Sequence, residues 1–225
     1  MIKAVIFDMY ETLITLYGCP TYFGAQIAAD ADIPTETFYQ IWRSEEFETG
    51  RTIGKVTLEQ TIETILKENG RYSEDLFHHI INKRIQVGGE AFSHLHPEIL
   101  PMLSALRQNG IKIGLISNCY LEEAMLIQNS VLYPYFDVPC LSCHEGIKKP
   151  DPTIFYRCTE RLGVSAEECL YVGDGGSAEL ETAAQVGMHP IQAVWYLKEN
   201  TNQPCARKPE FMQAELPLAL LSHIQ

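Results

Sequence analysis

Ile111-Lys112-Ile113-Gly114-Leu115-Ile116-Ser117-Asn118 is a short apolar run, rich in β-branched residues, that stops on two polar side chains. Its length suits one buried strand. Residues 97–108 before it carry a helical apolar period closed by Gly110, and residues 121–130 after it repeat that period. Similar strand-like runs occur at 3–8, 136–142, 169–174 and 190–196, with helical patterns at 152–162 and 178–186 between the later ones. Gly163 and Gly187 stand where helices should stop, and Ser165 with Glu167-Glu168 lies just ahead of the run at 169. Strands alternating with helices predict βαβ units, hence an α/β fold with a Rossmann-like, doubly wound parallel sheet.

Residues 16–92 break the alternation. Helical patterns at 22–31, 35–47, 57–69 and 73–85 follow one another without a strand, separated by turn signals at Gly18-Cys19-Pro20, Pro34, Gly50, Gly70 and Gly88-Gly89. The organisation expected is an α/β core from residues 1–15 and 93–225, with an all-helical insert at 16–92.

Composition narrows the function. The chain has 225 residues, 46% hydrophobic and 10% aromatic, enough for a large core and unlike a disordered segment. Its 17 basic and 29 acidic side chains leave a formal charge of −12, which repels phosphate backbones and anionic lipid. No stripe of Lys and Arg with interleaved aromatics is present, so neither nucleic acid nor membrane is an expected partner. The apolar run at the start is too short for a signal peptide and no stretch reaches the ~20 residues of a span, so a cytoplasmic location is expected. Seven cysteines at irregular spacing read as reduced thiols. Cys140-Leu141-Ser142-Cys143-His144 has haem-attachment spacing, but without an export signal it reads as a strand end with two incidental cysteines. Nothing in the sequence specifies an oligomeric state.

In an open parallel sheet, ligands bind beyond the carboxyl ends of the strands. Those ends carry Asp8, Ser117-Asn118 and Asp174, with Lys149 in the loop after the third strand. The surrounding motifs are Phe7-Asp8-Met9-Tyr10-Glu11-Thr12-Leu13, then Leu115-Ile116-Ser117-Asn118, then Gly146-Ile147-Lys148-Lys149-Pro150-Asp151-Pro152, then Val172-Gly173-Asp174-Gly175-Gly176-Ser177-Ala178-Glu179. In this order they resemble the four motifs of the haloacid dehalogenase-like hydrolases, and the helical insert resembles that family's cap domain.

The residue types fit the chemistry the resemblance implies. Asp8 would be a nucleophile forming an aspartyl ester. Ser117 and Asn118 would bind a transferring oxyanion, Lys149 would supply fixed positive charge, and Thr12 would orient the first loop. Asp8, Asp174 and the Tyr10 carbonyl would hold Mg2+, with Glu179 steering its waters. Two departures pull apart. The family's phosphatases carry an acid where this chain has Tyr10, and tyrosine there is the dehalogenase pattern, as is Trp42-Arg43, whose Arg43 would grip the substrate. Against this, the dehalogenases work without metal, whereas Asp8, Asp174 and Glu179 against Lys149 would leave about −2 of charge around an anion. The expectation is therefore a Mg2+-dependent phosphatase of a small anionic, phosphorylated metabolite. The alternatives are a metal-independent 2-haloacid dehalogenase and a degenerate phosphometabolite-binding protein.

Overall fold

A computed structural model describes residues 1–197 and 205–224. The five expected strands form, each a little shorter than its apolar run: β1 Ala4–Phe7, β2 Lys112–Ser117, β3 Val138–Leu141, β4 Cys169–Gly173 and β5 His189–Ala193. A sixth, β6 Met212–Ala214, is too short to show a countable alternation in sequence. All pair in parallel in the order β3-β2-β1-β4-β5-β6, which is the doubly wound arrangement with its switch in strand order at β1.

The helices are α1 Gly24–Asp30, α2 Thr35–Trp42, α3 Gly50–Thr52, α4 Leu58–Glu68, α5 Glu74–Glu90, α6 Ile99–Gln108, α7 Leu121–Gln128, α8 Ser142–Glu145, α9 Pro152–Leu162 and α10 Glu179–Gln185. Successive strand side chains face opposite layers. Val5, Phe7, Ile113 and Leu115 pack with α6 and α7, while Ile6, Ile116 and Tyr171 pack with α9 and α10. The helical segment has its own apolar cluster, including Ile27, Phe38, Ile62, Ile65 and Ile80.

Two helix boundaries differ from the sequence reading. The single helix expected at 35–47 breaks after Trp42, because the Ser44 hydroxyl accepts the Phe47 N–H (3.4 Å) and starts a separate π-helical turn, Glu45–Thr49. At Gly88-Gly89 no turn forms. Helix α5 runs through both glycines, and a Cβ on Gly88 would lie 3.1 Å from Leu126 of α7, so the missing side chain serves close helix packing.

The helical cap sits on the core through named contacts. Ser142 Oγ donates to the Thr52 carbonyl at 2.7 Å, Arg84 pairs with Glu123 at 2.7 Å, and Lys148 Nζ donates to Thr49 Oγ1 at 3.2 Å. Arg51, fully buried, stacks on Trp42 of the cap at 3.7 Å and on Tyr120 of the core at 4.5 Å. Gly54 has φ +73°, and a Cβ there would fall 2.0 Å from the Cys143 carbonyl oxygen. Gly54→Ala is therefore expected to destabilise the protein by about 1–3 kcal/mol, read as a lower denaturant midpoint.

Candidate active site

The switch in strand order places Asp8, just after β1, beside Asp174, just after β4. The Asp8 amide donates to the Val172 carbonyl at 2.9 Å, so the Asp8 backbone is fixed by the sheet itself. Lys149 reaches the same point from the loop before α9. Asn118 holds that loop by two hydrogen bonds: the Lys149 N–H donates to its Oδ1 at 2.8 Å, and its Nδ2 donates to the Lys149 carbonyl at 3.0 Å. The Lys149 ammonium donates to Asp8 Oδ1 at 2.6 Å, to Glu179 Oε2, and to the Tyr171 hydroxyl at 3.2 Å. Tyr171 in turn donates to Glu179 Oε2 at 2.8 Å, and the Gly175 N–H donates to Glu179 Oε1 at 3.1 Å. Gly173 makes room for this arrangement, since a Cβ there would lie 2.1 Å from Glu179 Oε1.

One carboxylate oxygen from each of Asp8, Asp174 and Glu179 lies within 4.8 Å of the other two. They line a cavity of about 220 Å3 together with Tyr10, Asn118 and Lys149. An adjoining cavity of about 370 Å3 shares Tyr10, Asn118 and Ser177 with it and is walled by Phe23, Trp42 and Arg84 of the cap and by Tyr120 of the core. A larger hollow of about 490 Å3 lies at the opposite end of the sheet, against Lys3, Lys112 and Gly163, remote from these groups. The Ser117 hydroxyl at the end of β2 is fully buried and has no hydrogen-bond partner among the described residues, and the same is true of the Thr12 hydroxyl. Neither residue is among those lining the two site cavities.

Burial pushes the Asp8 carboxyl up to about 8 against the pull of Lys149, with the Glu179 and Asp174 charges pushing the same way. Burial and then Glu179 raise Asp174 to about 6. Burial disfavours the Lys149 ammonium, but the Asp8 and Glu179 charges outweigh it and hold the group above its ordinary value. Tyr10, raised well above 10 first by burial and then by Glu123, stays a neutral phenol.

These shifts fix the sign of a pH effect. The native Asp8 and Asp174 bind protons more tightly than the unfolded chain does, so their contribution to stability is complete below about pH 4 and is lost as pH rises through 6 and then 8. Glu122, raised by burial to about 7, acts in the same direction. The protein is therefore expected to lose melting temperature between pH 5 and 8, which thermal melts across that range check.

The structure thus brings Asp8, Tyr10, Asn118, Lys149, Asp174 and Glu179 to one cavity; Ser117 at the end of β2 and Thr12 in the loop after Asp8 are buried outside its lining. Arg43 stands elsewhere. It is exposed, its guanidinium lies over its own neighbour Tyr39 at 3.8 Å, and it lines neither site cavity. Glu11 is turned back on its loop, accepting from Thr15 Oγ1 at 2.6 Å and from the Leu16 N–H at 2.7 Å. Tyr171 and Arg84 escape the sequence reading. Tyr171 carried one signal, a phenol inside a fully buried strand that must find a polar partner. Arg84 carried none, because a cap arginine that reaches the site looks like any other until helix packing is known.

The chain matches the haloacid dehalogenase-like hydrolase family over residues 2–187 and belongs to it. A glyceraldehyde 3-phosphate phosphatase of Methanopyrus kandleri is 26% identical over 209 residues, spanning 85% of this chain and 84% of its own. A HAD family enzyme of Bacteroides thetaiotaomicron shares the fold with a TM-score of 0.68 at 18% identity, covering 89% of this chain and 96% of its own. The 2-haloacid dehalogenase of Pseudomonas syringae pv. Tomato also shares it, with a TM-score of 0.66 at 21% identity over 100% of this chain and 98% of its own. The chain is a hydrolase of this family, with phosphatases among its relatives.

Proposed function

We propose that the protein is a Mg2+-dependent phosphatase that removes phosphate from a small phosphorylated metabolite through an ester on Asp8. The observation that carries this reading is the charge of the site. Three carboxyl groups lie within 4.8 Å of one another, and ionising all three, as a nucleophilic Asp8 requires, would leave about −2 against the single charge of Lys149 where an anionic substrate has to bind; the raised Asp8 and Asp174 carboxyls express that conflict, and a divalent cation removes it.

An all-oxygen donor set suits a hard divalent cation. Asp8, Asp174 and the Tyr10 carbonyl would hold it. Glu179 would stand behind them, because its two oxygens already accept from Lys149, Tyr171 and Gly175. When bound, Mg2+ supplies positive charge at the transferring phosphoryl group. The remaining work falls to the chain. Asp8 attacks phosphorus and displaces the leaving oxygen, forming an aspartyl ester; water then attacks phosphorus, releasing phosphate and restoring the carboxylate. Lys149 stabilises the charge that develops on the phosphoryl oxygens, and Asn118 keeps Lys149 in place.

Tyr10, a neutral phenol, lines both cavities and would donate to the leaving oxygen, with the Ser177 hydroxyl lining both as well. So weak an acid forfeits much of the ~10²–10⁴-fold that a matched general acid gives. Substrates whose leaving oxygen needs little protonation, acyl and aryl phosphates, should therefore be preferred. Tyr10 itself favours the dehalogenase alternative, but Arg43, the other residue in that pattern, is exposed and lines neither cavity.

A screen of phosphate esters and 2-haloacids, each with Mg2+ and with EDTA, tests the reading. It expects Mg2+-dependent release of phosphate, abolished by EDTA and restored by added metal. Full activity in EDTA on 2-chloropropionate would overturn it.

A further inference from the structure

The two cysteines of the Cys140-x-x-Cys143 spacing point to opposite layers of the molecule. Cys140 packs with the α9 side beside Cys158, whereas Cys143 packs with the α7 side, where its sulfur lies 3.9 Å from that of Cys119. The backbone explains the second pair. Strands β2 and β3 are in parallel register with Ser117 opposite Leu141, so the segments that follow them, with Cys119 two residues beyond β2 and Cys143 in the first turn of α8, leave the sheet side by side. Ser142 locks the two segments together, accepting the Cys119 N–H at 2.9 Å and donating to the Thr52 carbonyl of the cap at 2.7 Å.

We propose that Cys119 and Cys143 form a reversible disulfide under two-electron oxidants such as hydrogen peroxide, and that closing it switches the active site off. Both thiols are free in the structure. Cys143 is the more exposed of the two, at 7% against 1%, and its thiol is lowered chiefly by the hydrogen bond from Cys119, so it is the first to react. Its sulfur attacks the peroxide O–O bond and becomes a sulfenic acid as one water leaves. The Cys119 sulfur then attacks that sulfur, forming S–S and expelling the second water. In total two thiols are oxidised and one peroxide is reduced to two waters.

The consequence for the site follows from position. Bonding draws the sulfurs from 3.9 Å to about 2.0 Å apart. Cys119 is the next residue after Asn118, whose side chain makes both hydrogen bonds that hold the Lys149 backbone. Cys143 carries the carbonyl against which Gly54 of the cap is packed. A shift of about 1 Å at a positioning residue is enough for a ~10²-fold loss of rate.

The test oxidises the reduced full-length protein with a small excess of hydrogen peroxide. Non-reducing peptide mapping, with cleavage after Leu141 to separate Cys140 from Cys143, should find a Cys119–Cys143 cross-link. Hydrogen exchange at the Lys149 amide should speed up, a readout independent of whether the reaction is phosphate transfer. Hydrolysis of p-nitrophenyl phosphate should fall at least about tenfold and return with dithiothreitol. Cys143→Ala should keep its activity and resist peroxide. A cross-link confined to Cys140–Cys143 or Cys140–Cys158, no cross-link, or a Cys119–Cys143 bond that leaves Lys149 exchange unchanged would overturn the proposal.

Discussion

Asp8→Asn is expected to lower turnover by about 10³-fold or more while leaving the metal-free protein at least as stable as the wild type. The substitution is nearly isosteric, and the carboxamide oxygen can still accept from Lys149 Nζ, which donates to Asp8 Oδ1 at 2.6 Å. It lacks the charge that makes the oxygen a nucleophile. The site also loses one of three crowded carboxylates, so the repulsion from Glu179 and Asp174 that helps raise the Asp8 carboxyl to about 8 is relieved. Steady-state rates together with a thermal melt check both halves. Loss of rate with loss of fold would point to a structural role, and retained rate would remove Asp8 from the chemistry.

Lys149→Met has the opposite balance. Lys149 is 3% exposed and is the cation against which Asp8 and Glu179 are packed, so its removal leaves buried carboxylates without their counter-charge. Breaking a buried pair from one side costs about 3–5 kcal/mol, and a loss of that size in the metal-free protein is expected from denaturant unfolding. Saturating Mg2+ should recover part of the stability by replacing positive charge at the same carboxylates, but none of the activity that depends on the ammonium. A loss below about 1 kcal/mol would mean that the pair is far better solvated than its burial implies.

How much of this was legible in the sequence depends on the range of the interaction that fixes each feature. The five longer strands and their order of motifs could be read because an apolar run ending in a polar residue is a local signal, and because the carboxyl ends of a parallel sheet converge by topology. That was enough to gather Asp8, Ser117, Asn118, Lys149, Asp174 and Glu179 at one end of the sheet. What failed depended on packing between segments far apart in the chain. Gly88-Gly89 looks like a turn until Leu126 is seen against it, and Arg43 looks like a substrate ligand until its guanidinium is found over Tyr39. Arg84, Tyr171 and the Cys119–Cys143 approach are likewise set by helix docking and strand register. The global charge of −12 is silent about phosphate, because local compensation decides whether an anion can bind.

The central claim is that phosphate passes through Asp8, and rapid quench during turnover of a 32P-labelled acyl phosphate in Mg2+ tests it most directly. The account predicts a hydroxylamine-sensitive label on the peptide containing Asp8, appearing before free phosphate reaches steady state and missing when EDTA is present. Turnover at full rate with that peptide unlabelled at every quench time would contradict it.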